Sequence, residues 1–160
     1  MKPLITTQRF SPQQGLTLIE LMVALAIVGL LSALVYPRYQ DFVSHARRVD
    51  AQTQLLSAQQ WMERLYNESY DYAKTADGQE VHSMLALQPF RSSPRAGEGR
   101  KAYDISVTVA SPSPSQTFLL SAKRTALGPA AADTCGDFTL DHHGVRGLVN
   151  NTKSLAECWK

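Results

Sequence analysis

The chain has 160 residues, with 16 basic and 14 acidic side chains and a formal net charge of +2. That length allows one domain and one additional segment, and excludes several independent cores. The near-neutral balance excludes attachment to nucleic acid by bulk charge and leaves only local basic patches to consider.

The chain opens on a polar stretch, Met1–Gly15, that holds Lys2 and Arg9 and no acid. The run from Leu16 to Tyr36 follows, and Glu20 is its one charged residue. About 20 apolar residues rising 1.5 Å each cross a ~30 Å hydrocarbon core, so this run is predicted as a membrane-spanning helix. The basic flank places the N-terminus on the cytoplasmic side. A cleavable secretory signal is the first alternative. Ser32-Ala33-Leu34 supplies small residues for it, but Tyr36-Pro37-Arg38 is a poor exit and the leader is too polar. Glu20 needs a reason, because a charge in hydrocarbon costs about 2.5–3.5 kcal/mol on insertion scales. It is expected to be paired or to act in assembly, unless it lies at the interface and snorkels to water.

Gly15-Leu16-Thr17-Leu18-Ile19-Glu20-Leu21 resembles the prepilin motif G-F-T-L-I-E-L of the type IV pilin family, with leucine replacing the usual phenylalanine. The resemblance implies that a prepilin peptidase cuts between Gly15 and Leu16 and methylates the new amine of Leu16. Glu20 matches the family's assembly glutamate and Pro37 its helix-kinking proline. The implied organisation is a leader over 1–15, a transmembrane and assembly helix over 16–37, and a periplasmic head over 38–160. The head would follow the anchor into the inner membrane and, after assembly, onto the cell surface as part of a pilus. The free amine of Leu16 on one subunit could then meet Glu20 of a neighbour, a pairing that low dielectric strengthens. Loss of the leader leaves 14 basic against 14 acidic residues.

Beyond the span the chain is predicted to stay helical, from about Thr17 to about Tyr66. Pro37 should kink this helix without ending it, since helix formers flank it. Two apolar series follow, Ala46, Val49, Thr53, Leu56 and Leu55, Ala58, Met62, Leu65, and together they predict a stripe that covers a sheet. Arg47, Arg48, Asp50 and Gln52 fall on the polar face. Trp61, Tyr66, Tyr70 and Tyr72 are expected to pack where the helix meets the head, with a ligand-stacking surface as the alternative.

From about 67 to 101 the pattern breaks into turn chemistry, at Asp77-Gly78, Pro89, Ser92-Ser93-Pro94 and Gly97-Glu98-Gly99. Val81–Leu87 reads as a helical turn or a short strand. Tyr103–Val109 alternates apolar and polar residues and reads as a strand. Ser111-Pro112-Ser113-Pro114-Ser115 then connects it to Thr117–Lys123. Phe138–Leu140 and Val145–Val149 frame a turn at Asp141-His142-His143-Gly144. The expectation is α+β: one long helix on a four-stranded antiparallel sheet, as in the type IV pilin fold.

Cys135 and Cys158 are the only cysteines. In an exported chain an even count points to a disulfide. Closing a loop of about 24 residues contributes about 3 kcal/mol by the loop-entropy model. Such a bond would hold a C-terminal tail expected to lack secondary structure. The stretch Asp133–Asp141 and the ending Glu157-Cys158-Trp159 resemble the C-terminal pattern of minor pilins of the PilE and ComP group, where a Cys-Gly strand start pairs with a terminal Cys-Trp.

An enzyme reading finds no G-x-S-x-G, P-loop or H-E-x-x-H. His142 and His143, placed in a strand, would point to opposite faces and make poor metal ligands. The two cysteines lack the C-x-x-C spacing of a redox pair. No cofactor is implied. The resemblance implies a minor structural subunit of a type IV pilus, serving adhesion or twitching motility. Its partners would be prepilin peptidase, other pilins and the inner-membrane assembly platform. A secretion-system pseudopilin is a further reading, though pseudopilins commonly lack the disulfide-tied tail. Some relatives of the ComP kind bind DNA during uptake. A DNA face here would draw on Arg91, Arg95, Arg100 and Lys101 in the loop and on Lys123 and Arg124 at a strand end.

Overall fold

The computed structural model describes residues 15–159. The expected leader over 1–15 therefore lies outside the described residues, apart from Gly15. The chain divides into two compact units between Gln40 and Asp41. One helix, α1 (Leu18–Ser69), carries sequence from both.

Within 15–40 the helix begins where Thr17 caps it. The Thr17 hydroxyl accepts the Glu20 N–H at 3.3 Å and the Thr17 carbonyl accepts the Leu21 N–H at 3.2 Å. Pro37 cannot donate to the Ala33 carbonyl, yet α1 continues past it to Ser69, as flanking helix formers predict. Every described residue of this unit is exposed, including Leu18, Leu25, Leu30 and Leu34. The helix is long and apolar enough to cross a membrane.

Within 41–159 the same helix buries one stripe, Ala51, Leu55, Ala58 and Met62, with Trp61 beside it. The 4-3-4 spacing keeps these residues on one face. Leu55 and Met62 are fully buried, and each such side chain contributes about 1.5–3 kcal/mol. The first expected series stays outside: Ala46, Val49, Thr53 and Leu56 are exposed. A neighbour one position along a helix is rotated by about 100°, and a sheet covers only one such width.

The sheet has five strands, not the expected four. They are β1 (Ser92–Ser93), β2 (Tyr103–Val109), β3 (Phe118–Arg124), β4 (Asp137–Asp141) and β5 (Arg146–Val149), in the order β1-β2-β3-β4-β5 with every pairing antiparallel. β1 escapes sequence reading because two serines carry no strand signal. Tertiary bonds make it a strand: Ser93 accepts the Ala102 N–H at 2.7 Å, and its hydroxyl donates to the Asp50 carboxylate of α1. On β2 the sides alternate as predicted, with Tyr103 and Ile105 buried and Asp104 and Ser106 exposed.

Val81–Leu85 is a short helix, α2, that buries Val81 and Leu85. The tail also has structure of its own, correcting the expectation of none. Helix α3 (Leu155–Cys158) starts with a capping box in which Glu157 accepts the Ser154 N–H at 2.9 Å. Trp61, Tyr72, Phe90, Phe118, Tyr103, Phe138 and Trp159 belong to one buried cluster. Tyr66 stacks on Tyr72 at 4.4 Å, whereas Tyr70 is exposed.

Candidate functional site

Four of the loop cations come together around two adjoining hollows. Arg91, Arg95 and Lys101 line a cleft of about 410 Å³ with Ser92, Pro94 and Asp104. Arg100 and Lys101 line a second hollow of about 250 Å³ with Thr125, Leu127 and Gly128. Lys101 is common to both. The guanidinium groups are aimed by neutral acceptors: Arg91 donates to the Ala86 carbonyl at 2.8 Å, Arg95 to Gln54 Oε1 at 3.3 Å and Arg100 to the Leu127 carbonyl at 2.9 Å. A neutral acceptor holds geometry without cancelling charge. Lys101 differs, for its ammonium pairs with Asp104 at 2.7 Å. Lys123 is exposed on β3, directly across from Asp104.

Arg124, grouped with these by sequence, has a structural position. Its guanidinium pairs with Asp137 at 3.1 Å and donates to the Asp133 carbonyl at 2.6 Å, and its backbone N–H also donates to Asp137. Burial pushes the Asp137 carboxyl up, but the hydrogen bonds from the Arg124 N–H, Asn150 and the Arg124 side chain hold it below the usual range.

The segment between β3 and β4 is tied down by residues that sequence reading left on a solvated face. Arg47 donates to the Pro129 carbonyl at 3.0 Å, and Arg48 pairs with Asp133 at 2.9 Å. The Asp133 side chain is 3% exposed and also accepts from Tyr103 and from the Cys135 N–H at 2.8 Å. Burial, and next the nearby Asp133 charge, push the Tyr103 phenol well above its ordinary value. No local signal in the sequence joins residues 48 and 133.

Cys135 and Cys158 form a disulfide with Cα atoms 5.6 Å apart. The next residue, Gly136, has φ +72, and a Cβ there would meet the Val149 carbonyl at 2.3 Å. Glycine is needed beside Cys135 because the β5 end passes directly over it and its backbone is left-handed. Gln52 of α1 donates to the Cys158 carbonyl at 2.8 Å, and Trp159 packs edge-on to Phe138 at 5.5 Å and donates to the Gly147 carbonyl at 3.1 Å.

Asp71 organises the opposite end of the sheet. Its carboxylate accepts the Ala73 and Ser115 N–H groups, both at 2.7 Å, and the Ser113 hydroxyl. Burial raises this carboxyl, and the hydrogen bonds from Ser113, Ala73 and Ser115 more than offset it, so its pKa is lowered. Beside it the Tyr72 phenol is pushed up to about 12, by burial and then by Glu63. At the β4–β5 turn the imidazoles of His142 and His143 lie 3.9 Å apart, because β4 ends at Asp141 and strand alternation stops there. The Asp141 carboxylate accepts the His143 and Val145 N–H groups within that turn. Among the described residues no His, Cys, Asp and Glu group is placed to hold a metal ion.

In the N-terminal unit, Gly15, Leu16 and Glu20 are exposed, and a Cβ built on Gly15 meets nothing within 4 Å. The family described as "Type IV minor pilin ComP, DNA uptake sequence receptor" matches residues 37–139, and a prokaryotic N-terminal methylation motif matches residues 10–36. The chain belongs to the ComP family of type IV minor pilins. The family is one of structural pilins. Among curated relatives, the type IV major pilin PilE1 of Neisseria gonorrhoeae is 51% identical over 39 residues, 24% of this chain and 24% of that protein. A fimbrial protein of Moraxella nonliquefaciens is 49% identical over 41 residues, 26% of this chain and 27% of its own length. These matches span about a quarter of each relative. Among solved structures, a type IV pilin from Shewanella oneidensis is 29% identical, with 69% of this chain and 98% of that chain covered and a TM-score of 0.42. The minor pilin PilV of Neisseria meningitidis is 26% identical, with 69% and 94% covered and a TM-score of 0.44. Type IV pilins are anchored in the membrane by an apolar N-terminal helix and form surface pili, and this pilin has such a helix.

Proposed function

We propose that this pilin is a minor subunit of a type IV filament. It is cut between Gly15 and Leu16 by prepilin peptidase, methylated on Leu16, and held in the inner membrane with its N-terminus cytoplasmic and its head periplasmic. From there the assembly platform adds it to other pilins. The observation that supports this reading most is the motif itself: Gly15-Leu16 directly precedes an apolar helical stretch that carries Glu20, and every residue over 15–40 is exposed. Such a surface must be covered, first by lipid and then by neighbouring helices. Glu20 would pair with a neighbour's Leu16 amine, and Pro37 would adapt the helix to the bundle. Mass analysis of the membrane fraction should find a chain that starts at methylated Leu16. An intact Met1, or a terminus after Ala33, would remove the reading.

A second function on the same chain is favoured by the cation cluster. The head captures DNA through Arg91, Arg95, Arg100, Lys101 and Lys123, with Arg124 holding the strand end beneath them. The match to a family named for a DNA uptake sequence receptor supports it, as does the convergence of four cations on two hollows that share Lys101. Phosphate contacts need little more than such a cluster. The mature chain in detergent should bind a labelled duplex, and Arg91→Ala with Arg95→Ala should weaken binding and flatten its salt dependence by about two phosphate contacts. Unchanged binding by that double variant would remove this role.

A further inference from the structure

The cationic face contains a carboxylate that opposes it. Asp104, the second residue of β2, pairs with Lys101 at 2.7 Å, faces Lys123 across the strand pair, and lines the cleft with Arg91 and Arg95. Among the described residues lining that cleft it is the single acid. The pair is not required to neutralise a buried charge, since the Lys101 and Asp104 side chains are 50% and 51% exposed. Exposed pairs of this kind add little stability. Arg91, Arg95 and Arg100 bond to neutral oxygens and keep their full charge for a ligand. Lys101, the cation common to both hollows, is the one paired with an acid.

We propose that Asp104 is a built-in competitor for phosphate that holds Lys101 until a nucleic acid with further contacts displaces it. The inference rests on the DNA-capture reading and concerns how weakly that site holds a polyanion through backbone contacts alone. A phosphate entering beside Lys101 must break the ion pair and approach a carboxylate. That cost falls on every polyanion equally, so contacts to phosphate alone become weak. The ratio of affinities is unchanged, but at a given concentration a duplex held by its backbone alone is released while one that also engages the site through its bases or its shape stays bound, because backbone contacts position and other contacts specify.

The test uses the mature full chain in detergent and a fluorescein-labelled random-sequence duplex, across a salt series. Asp104→Asn should bind about threefold to tenfold tighter at about 50 mM salt, and its log K against log salt should steepen by about one phosphate contact. Glu98→Gln supplies the control: it removes the same charge from an exposed position in the loop before β2 that does not line the cleft. It should change affinity less than twofold or so, by salt screening. The gain from Asp104→Asn should vanish in the double variant with Lys101→Ala, because the effect runs through that ammonium. Equal affinity and slope for wild type and Asp104→Asn would overturn the inference while leaving DNA capture standing. So would equal gains from Asp104→Asn and Glu98→Gln, which would make the effect one of net charge. Weaker binding by Asp104→Asn would overturn it in favour of a carboxylate that accepts from a base amine. No binding by any of the proteins at the lowest salt would remove DNA capture itself, and this inference with it.

Discussion

The two units of the chain handle charge in opposite ways. In residues 15–40 a single acid, Glu20, stands on an apolar helix whose side chains are all exposed. In residues 41–159 several charges are drawn inward and each meets a partner. Arg48 pairs with Asp133, Arg124 pairs with Asp137, and Asp71 accepts from two N–H groups and a hydroxyl. The head completes its polar groups within one chain, and every buried side-chain nitrogen or oxygen among the described residues has a partner. The N-terminal unit has the composition of a segment completed by lipid and by other chains.

The contrast breaks most sharply at Glu20. Glu20→Leu removes a charge from hydrocarbon, so membrane insertion should be preserved or improved. If the residue pairs with a neighbour's amine, the same change strands that amine, at a cost of about 3–5 kcal/mol. The variant should appear at full level in the processed membrane pool and be lost from sheared filaments. Equal incorporation of variant and wild type would sink the pairing.

In the head, Asp133→Ala should destabilise the fold by about 3–5 kcal/mol, because it leaves the part-buried Arg48 without a partner. Replacing both residues, as Arg48→Met with Asp133→Leu, should recover a large part of that loss. Thermal unfolding followed by near-ultraviolet circular dichroism would read both. A double variant as weak as the single one would place the role of Asp133 in its bonds to Tyr103 and the Cys135 N–H instead.

Cys158→Ser should cost about 2–5 kcal/mol, the usual range for a small exported domain. Denaturant unfolding with and without reductant is the measurement. A reductant effect on wild type that is absent in the variant would confirm its source.

The smallest effect concerns pH. The Asp71 carboxyl has a lowered pKa in the folded chain. Its contribution is complete above the unfolded value of about 3.9 and is lost as pH falls through the folded value. Stability should therefore be flat with respect to this group near neutrality and should fall on the acid side of about pH 4. Asp71→Asn should cost about 1–3 kcal/mol at neutral pH, because an amide cannot accept from all three donors as a carboxylate does. It should also make the acid limb shallower. An acid limb identical to that of wild type would assign the pH dependence elsewhere, with Asp137 the next group to examine since its carboxyl is lowered too.

Sequence alone was sufficient for what is encoded locally. The prepilin motif, the apolar run, the helix through Pro37, the β2 alternation and the Cys-Gly and Cys-Trp ends each lie within a short window. Composition or period decides them there, and the cysteine pairing followed from export and an even count. Tertiary structure decided which of two apolar series on α1 is buried, because the breadth of a sheet face is not written in the helix. It made Ser92–Ser93 a strand, through bonds to Ala102 and to Asp50, the latter 43 residues away in sequence. It turned Arg47 and Arg48 from surface charges into anchors for the loop before Cys135. It also separated Arg124, fixed by Asp137, from the loop cations, and set Asp104 among them. The physical reason is common to the last two. The partners of a long polar side chain are chosen by which backbone passes within about 3 Å of its tip, and that follows from chain topology.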